Sequence, residues 1–82
     1  MYYTYVLLLK NNKFYYGYTS NLEMRIEQHA QGLVKSTKSR YVKLLYFEMY
    51  ANGKVARERE TFLKSGQGRA QMKQLLAQYL KN

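Results

Sequence analysis

Eighty-two residues make one domain with one modest core, and residues 1–82 are read that way. The chain has no cysteine, which excludes disulfides, thiolate metal sites and thiol nucleophiles; its longest apolar run, Val6 to Leu9, is too short for a signal peptide or a membrane span. Fourteen lysines and arginines against five acids leave a net charge of +9, which points to an anionic partner.

Tyr2 to Leu9 is rich in Tyr, Val and Leu and reads as a strand. Asn11-Asn12-Lys13 is a turn signal, and Phe14 to Tyr18 reads as the returning strand of a hairpin. Ser20 precedes Glu23 by three residues, the spacing of a capping box, so a helix is expected to start there. Leu22, Ile26 and Ala30 continue it at helical spacing, and Gly32 should stop it. Val34 to Arg40 reads as a polar, basic loop. Tyr41 to Tyr50 predicts a third strand, with Leu45, Phe47 and Met49 alternating against Leu44, Tyr46, Glu48 and Tyr50. After the Asn52-Gly53 turn, Lys54 to Lys64 predicts a second helix with Val55, Arg59, Phe62 and Leu63 near one stripe. Ser65-Gly66-Gln67-Gly68 should break it, and Arg69 to Leu80 predicts a third helix burying Met72, Leu75, Leu76, Tyr79 and Leu80. The expected order is β-β-α-β-α-α. This is an α/β (α+β) fold: a three-stranded, mainly antiparallel sheet with helices packed on it.

Nucleic acid is the first candidate partner. An anionic membrane would need a basic amphipathic helix with a free apolar face, whereas the apolar faces here are committed to a core. A basic protein merely kept soluble by its charge is the plain alternative. No obligate protein partner is evident. The lack of disulfide staples suits a reducing, cytoplasmic compartment. All five acids are glutamates, namely Glu23, Glu27, Glu48, Glu58 and Glu60, and the only histidine is His29. Two clustered metals need several converging carboxylates, so this chain is supplied for one oxygen-ligated ion at most.

Arg25 and His29 lie four residues apart, beside the Leu22–Ile26 stripe rather than opposite it. A boundary histidine next to an arginine stem packed on a sheet edge would explain an isolated pair. Ten tyrosines exceed what so small a core needs, and six of them fall on the opening hairpin. Strand propensity accounts for most; one or two are free to aim a hydroxyl at a phosphate or a water. Glu60 sits among Arg57, Arg59 and Lys64, where a simple surface pair with Lys64 would explain it. Glu23 is expected to cap the first helix, Glu27 and Glu58 face solvent, and Glu48 is the rival carboxylate. Two basic stretches are candidates for holding phosphates: Lys35, Lys38 and Arg40 in the loop, and Lys64 to Arg69, where glycines free backbone N–H groups at a helix start. A helix–helix turn with charged flanks explains the second equally well.

Together these residues resemble the GIY-YIG nuclease superfamily, in its small stand-alone bacterial branch. Tyr3-Thr4-Tyr5 and Tyr15-Tyr16-Gly17 stand where the family's two tripeptides lie, on the strands of a hairpin. The first keeps its tyrosine without the glycine and isoleucine, and the second keeps Tyr15 and the structural Gly17. Arg25 and His29 match the family's helix, and Ala56 to Glu60 resembles its metal-binding helix, with Glu60 as the ligand. Larger relatives carry a further asparagine, for which no counterpart precedes Asn82. The resemblance implies an endonuclease hydrolysing phosphodiester bonds in nucleic acid, DNA ahead of RNA, with one Mg²⁺ or Mn²⁺ ion. Glu60 would hold the ion, Tyr5 would take a proton from the attacking water, and Arg25 would stabilise the developing charge. Tyr15 and His29 would orient water and phosphate. The alternative is a non-catalytic nucleic-acid-binding module of the same fold. The residues alone do not choose between Glu60 and Glu48.

Overall fold

The computed structural model describes residues 1–80, with side chains as far as residue 78. The elements are β1 (Tyr2–Leu9), β2 (Lys13–Thr19), α1 (Leu22–Ala30), β3 (Tyr41–Tyr50), α2 (Gly53–Lys64) and α3 (Gly66–Leu80). Short 3-10 turns occupy Lys10–Asn12 and Lys35–Thr37. The expected β-β-α-β-α-α order is thus present. Both pairings are antiparallel, and the strand order β2-β1-β3 puts the most apolar strand in the centre and leaves β2 on an edge.

The hairpin turns through Asn11 and Asn12, both in the left-handed region at φ 67° and 57°, a conformation that asparagine tolerates better than most residues. Alternation along β1 sends Val6 to one face and Tyr5, Leu7 and Leu9 to the other. Val6 joins Tyr16, Leu63, Met72 and Leu76 under α2 and α3. Tyr5, Leu7 and Leu9 pack with Tyr15, Leu22, Ile26, Tyr41 and Leu44 on the α1 side. Three layers result, each apolar side chain fully buried contributing about 1.5–3 kcal/mol. The strict alternation expected of β3 is broken. Pairing with β1 runs Val6–Tyr46 and then Leu7–Leu44, skipping Leu45. This bulge lets Leu44 pack on the α1 side while Leu45 and Tyr46 both pack towards α2 and α3.

Helix boundaries also differ from expectation. Asn21, not Ser20, caps α1: its extended backbone lets the side chain accept from the Met24 N–H at 3.1 Å. Thr19 Oγ1 fixes that residue by accepting the Asn21 N–H at 3.1 Å. Glu23 is therefore an exposed first-turn residue, not part of a capping box. Gly32, at φ 76°, ends the helix as expected. In α2, Ala56 and Leu63 carry the buried stripe, while Val55 is exposed.

The glycines at residues 66 and 68 do not keep the third helix waiting until Arg69. Ser65 separates the two helices, its hydroxyl donating to Phe62 O at 2.6 Å and accepting the Gly68 N–H at 3.2 Å. A Cβ at Gly68 would lie 2.1 Å from Phe62 O, so the glycine permits close packing against the end of α2. In α3, Met72 and Leu76 are buried but Leu75 is half exposed. The Tyr79 and Leu80 side chains, and Asn82, lie outside the described residues.

Candidate active site

The site starts from a missing side chain. Tyr5 pairs across the ladder with Gly17 on the edge strand β2. A Cβ on Gly17 would fall 2.2 Å from Tyr5 Cζ and 2.3 Å from its hydroxyl. The Tyr5 ring therefore lies across β2 in the space that any other residue at this position would fill. That is the physical reason for glycine here.

His29 meets the ring from α1. Its Nε2 lies 2.9 Å from the Tyr5 hydroxyl, and its Nδ1 lies 2.6 Å from Thr37 Oγ1. Tyr5 and His29 are each 1% exposed, and Thr37 is 0% exposed. Tyr15 packs edge-on to the imidazole with ring centres 5.3 Å apart, and Tyr41 stacks on it at 6.5 Å. Burial, helped by the Arg25 charge, lowers the His29 pKa to about 4, so the ring is neutral at neutral pH. Both ring nitrogens of His29 are thus engaged within the protein, and the ring is buried.

Arg25, one turn earlier on α1, is half-buried and donates from Nη1 to Gln28 Oε1 at 3.0 Å. Its guanidinium lies beside the Tyr5 hydroxyl and favours the ionised phenol. Burial nevertheless pushes the Tyr5 pKa up to about 12, with Tyr15 and Glu60 adding to the rise. Of these neighbours only Arg25 acts on the hydroxyl as a hydrogen-bond donor; Tyr15 and Glu60 act on it through charge alone.

Glu60 comes from α2. Thr4 Oγ1, fully buried, donates to Ala56 O at 2.5 Å and ties β1 to this helix one turn before Glu60. The carboxylate pairs with Lys64 Nζ at 3.1 Å, in an i,i+4 contact whose lysine is half exposed. Lys64 is therefore a partner of the candidate metal ligand.

Glu48 is in a different condition. Its two oxygens accept Arg59 Nε at 2.9 Å and Arg59 Nη2 at 3.1 Å. They also accept the Tyr46 hydroxyl at 2.8 Å and the Tyr50 hydroxyl at 2.5 Å. Burial opposes its ionisation, but these donors outweigh it and hold the carboxyl below its ordinary range. With four donors in place, little of this carboxylate remains for a cation.

The structure thus brings together Tyr5, Tyr15, Gly17, Arg25 and His29, with the Glu60 charge acting on the Tyr5 hydroxyl from α2. It places Lys35, Lys38 and Arg40 exposed on the connection from α1 to β3, whose interior residue Thr37 touches His29. Arg69 is exposed in the first turn of α3. Sequence reasoning misses Thr4 and Thr37, because a buried threonine in a strand or a polar loop leaves no periodic signal. Among the described residues there is no group of three or more histidines and acids able to hold a metal. A single half-buried carboxylate beside a phenol is an all-oxygen donor set. It fits one hard cation that takes the rest of its shell from water and phosphate.

The three-stranded antiparallel sheet with Tyr5 on its central strand, Arg25 on α1 and Glu60 on α2 has the element order and residue placement that the resemblance implies. The chain belongs to the GIY-YIG family: the model of the GIY-YIG catalytic domain matches residues 1–74. GIY-YIG domains are in general nuclease domains. The chain is 44% identical over 66 residues to UPF0213 protein CPE1444 of Clostridium perfringens, covering 78% of this chain and 71% of that one. It is 35% identical to a UPF0213 protein of Pediococcus acidilactici, over 99% of this chain and 82% of the relative. Among solved structures it is similar to the UPF0213 protein BH0048 of Bacillus halodurans. That match has a TM-score of 0.56 and 30% identity, over 92% of this chain and 85% of the other.

Proposed function

We propose that the chain is an endonuclease that hydrolyses phosphodiester bonds in nucleic acid, DNA ahead of RNA, with one divalent ion, Mg²⁺ or Mn²⁺, held by Glu60. The observation that carries this reading is that Arg25 and the Glu60 charge both act on the Tyr5 hydroxyl, which lies across β2 at Gly17, while the rival Glu48 is saturated by its own neighbours. Family membership makes nuclease chemistry the parent class.

Each residue has a role that its surroundings suit. Arg25 aims a planar donor group at the phosphoryl oxygens, where charge grows as the water oxygen attacks phosphorus and the bond to the leaving sugar oxygen breaks. Tyr5, with a phenol pKa of about 12, is a strong base once ionised, and takes the proton of the attacking water. Tyr15 borders the same hydroxyl and orders the water. When bound, the ion supplies positive charge that favours the phenolate and offsets charge on the phosphate. Lys35, Lys38 and Arg40 hold flanking phosphates, from a loop whose other face supports His29. Lys64 and Arg69 extend that basic surface on the α2–α3 side.

The test is cleavage of a panel of branched, nicked and single-stranded DNA and RNA, with Mg²⁺ or Mn²⁺ and with chelator. Metal-dependent scission of at least one substrate is expected. Arg25→Ala should lower the cleavage rate by about 10²–10³ while binding changes little, because a donor aimed at developing charge acts mainly on the transition state. Binding without scission of any substrate under either metal would leave the non-catalytic module as the correct reading.

A further inference from the structure

We propose that the cleft between the start of β2 and α3 is a binding subsite for a single-stranded segment of the nucleic acid, with Lys13, Arg69 and Lys73 on its phosphates and Phe14 against one base. The inference rests on the nucleic-acid part of the proposed function and deepens it; it does not depend on cleavage.

The two segments that form this cleft come from acid-free stretches of the sequence. Residues 1–22 contain Lys10 and Lys13 and no acid; residues 61–82 contain Lys64, Arg69, Lys73 and Lys81 and no acid. The fold brings parts of both together. A cleft of about 330 Å³ is lined by Asn12, Lys13, Phe14, Tyr16, Arg69 and Lys73. Lys13, Arg69 and Lys73 are exposed, and among the described residues none of the three has an ion-pair partner. Arg69 and Lys73 lie four apart on α3, where like charges repel and weaken a helix. Three cations without a carboxylate around one concavity favour an anion bound there.

The cleft is not charge alone. Phe14 and Tyr16 alternate with Tyr15 along β2 and pack on the core under α2 and α3, opposite the Tyr5 cluster. Tyr16 meets Phe14 edge-on, ring centres 6.4 Å apart, so the partly buried Phe14 ring is fixed in the wall of the cleft. A single strand can bring both a phosphate and an unstacked base to such a place. A duplex keeps its bases stacked inside and presents phosphates alone to a cleft this small. Position ties the cleft to the strand that meets Tyr5. The Tyr5 ring lies across Gly17, and Lys13 is four residues away on the same edge strand, about 13 Å at ~3.3 Å per residue. At ~3.4 Å per stacked nucleotide that is about four nucleotides. A strand that passes the Tyr5 hydroxyl and turns over the β2 edge reaches the cleft within that length.

The test is fluorescence anisotropy of an oligothymidylate of about twelve nucleotides, bound to the full chain in the presence of chelator over a salt series. Lys13→Gln combined with Lys73→Gln should make the log–log salt slope shallower by about 1.4, two single-strand phosphate contacts at roughly 0.7 each. Lys43→Gln combined with Lys54→Gln, an equal loss of charge at exposed positions outside the cleft, should leave the slope at the wild-type value. Phe14→Leu keeps an apolar side chain against the core. It should weaken binding about 5-fold or more at every salt concentration without changing the slope, because stacking releases no counterions. Equal slope changes from the two lysine pairs, or none from the cleft pair, overturn the proposal. A blunt duplex of the same length should show a smaller slope change with the cleft pair; an equal change overturns the single-strand assignment. If the cleft pair behaves as expected and no substrate is cut, the subsite stands and the nuclease reading fails. If metal-dependent cleavage occurs while the cleft pair leaves the slope unchanged, the nuclease reading stands and the subsite fails.

Discussion

Glu48 and Glu60 are carboxylates in one small basic protein, and their surroundings differ sharply. Glu48 sits in a ring of donors, bound twice by Arg59 and once each by Tyr46 and Tyr50. Among the described residues Glu60 has one ion-pair partner, the half-exposed Lys64, and its charge acts on the Tyr5 hydroxyl. A carboxylate with every lone pair taken is a structural clasp, here joining β3 to α2. One left short of donors is available to a cation. The contrast lies in satisfaction more than in burial, since both side chains are largely buried, at 15% and 19% exposure.

The largest effect expected is a complete exchange of phenotypes between the two glutamates. Glu60→Gln should abolish metal-dependent cleavage while chemical denaturation shifts by less than ~0.5 kcal/mol, since a partly exposed i,i+4 pair is worth little. Glu48→Gln should behave conversely. It should cost about 2 kcal/mol of stability, because one member of a buried charged network is removed, yet leave cleavage per folded molecule close to wild type. The comparison breaks if both variants lose only activity or only stability.

Gly17→Ala sharpens the picture from the other side of the site. Its Cβ has nowhere to go but the Tyr5 ring, so a destabilisation of about 1–3 kcal/mol is expected. A displacement of the Tyr5 hydroxyl by even an ångström should lower the rate about 10²-fold.

Acid should separate the two regions by pH. His29, held at about 4 against an ordinary 6.5, stays neutral in the fold while the unfolded chain takes up a proton. The unfolded state then binds more protons, and stability falls as pH drops from about 6.5 to about 4. Glu48, held below its ordinary range, contributes stability above the unfolded carboxyl value that is lost as pH falls through its lower folded value. Urea denaturation across pH should therefore show two windows of loss. His29→Gln should flatten the upper one and Glu48→Gln the lower.

The smallest effect concerns the loop. Replacing Lys35, Lys38 and Arg40 should reduce the salt dependence of duplex DNA binding by roughly 0.9 in log–log slope for each phosphate no longer neutralised. All sequences should be affected alike, since phosphate contacts do not read bases. An unchanged slope would remove this loop from the binding surface.

Much of this was legible in the chain itself. The Tyr, Val and Leu runs located β1 and β3 to the residue, because residues of strand propensity are bounded there by turn signals. Which of two adjacent good caps is used was not legible: Ser20 and Asn21 are both suitable, and only the contact from Thr19 decides. The glycines at 66 and 68 read as breakers because intrinsic propensity is local, whereas the approach of Gly68 to Phe62 is tertiary. For the site, helical spacing exposed the Arg25 and His29 pair, and the resemblance singled out Glu60. Spacing had no means to reject Glu48, whose four donors come from two elements. Thr37 was invisible because it is a buried hydroxyl in a stretch that is otherwise basic and exposed.

The claim that Glu60, not Glu48, is the ion-binding carboxylate is tested most directly by titrating Mn²⁺ into the protein without nucleic acid and following the free ion by EPR. The wild type and Glu48→Gln should bind one ion with similar affinity, and Glu60→Gln should lose that binding while remaining folded. Wild-type binding by Glu60→Gln, or loss confined to Glu48→Gln, would contradict the account and move the ion to the strand.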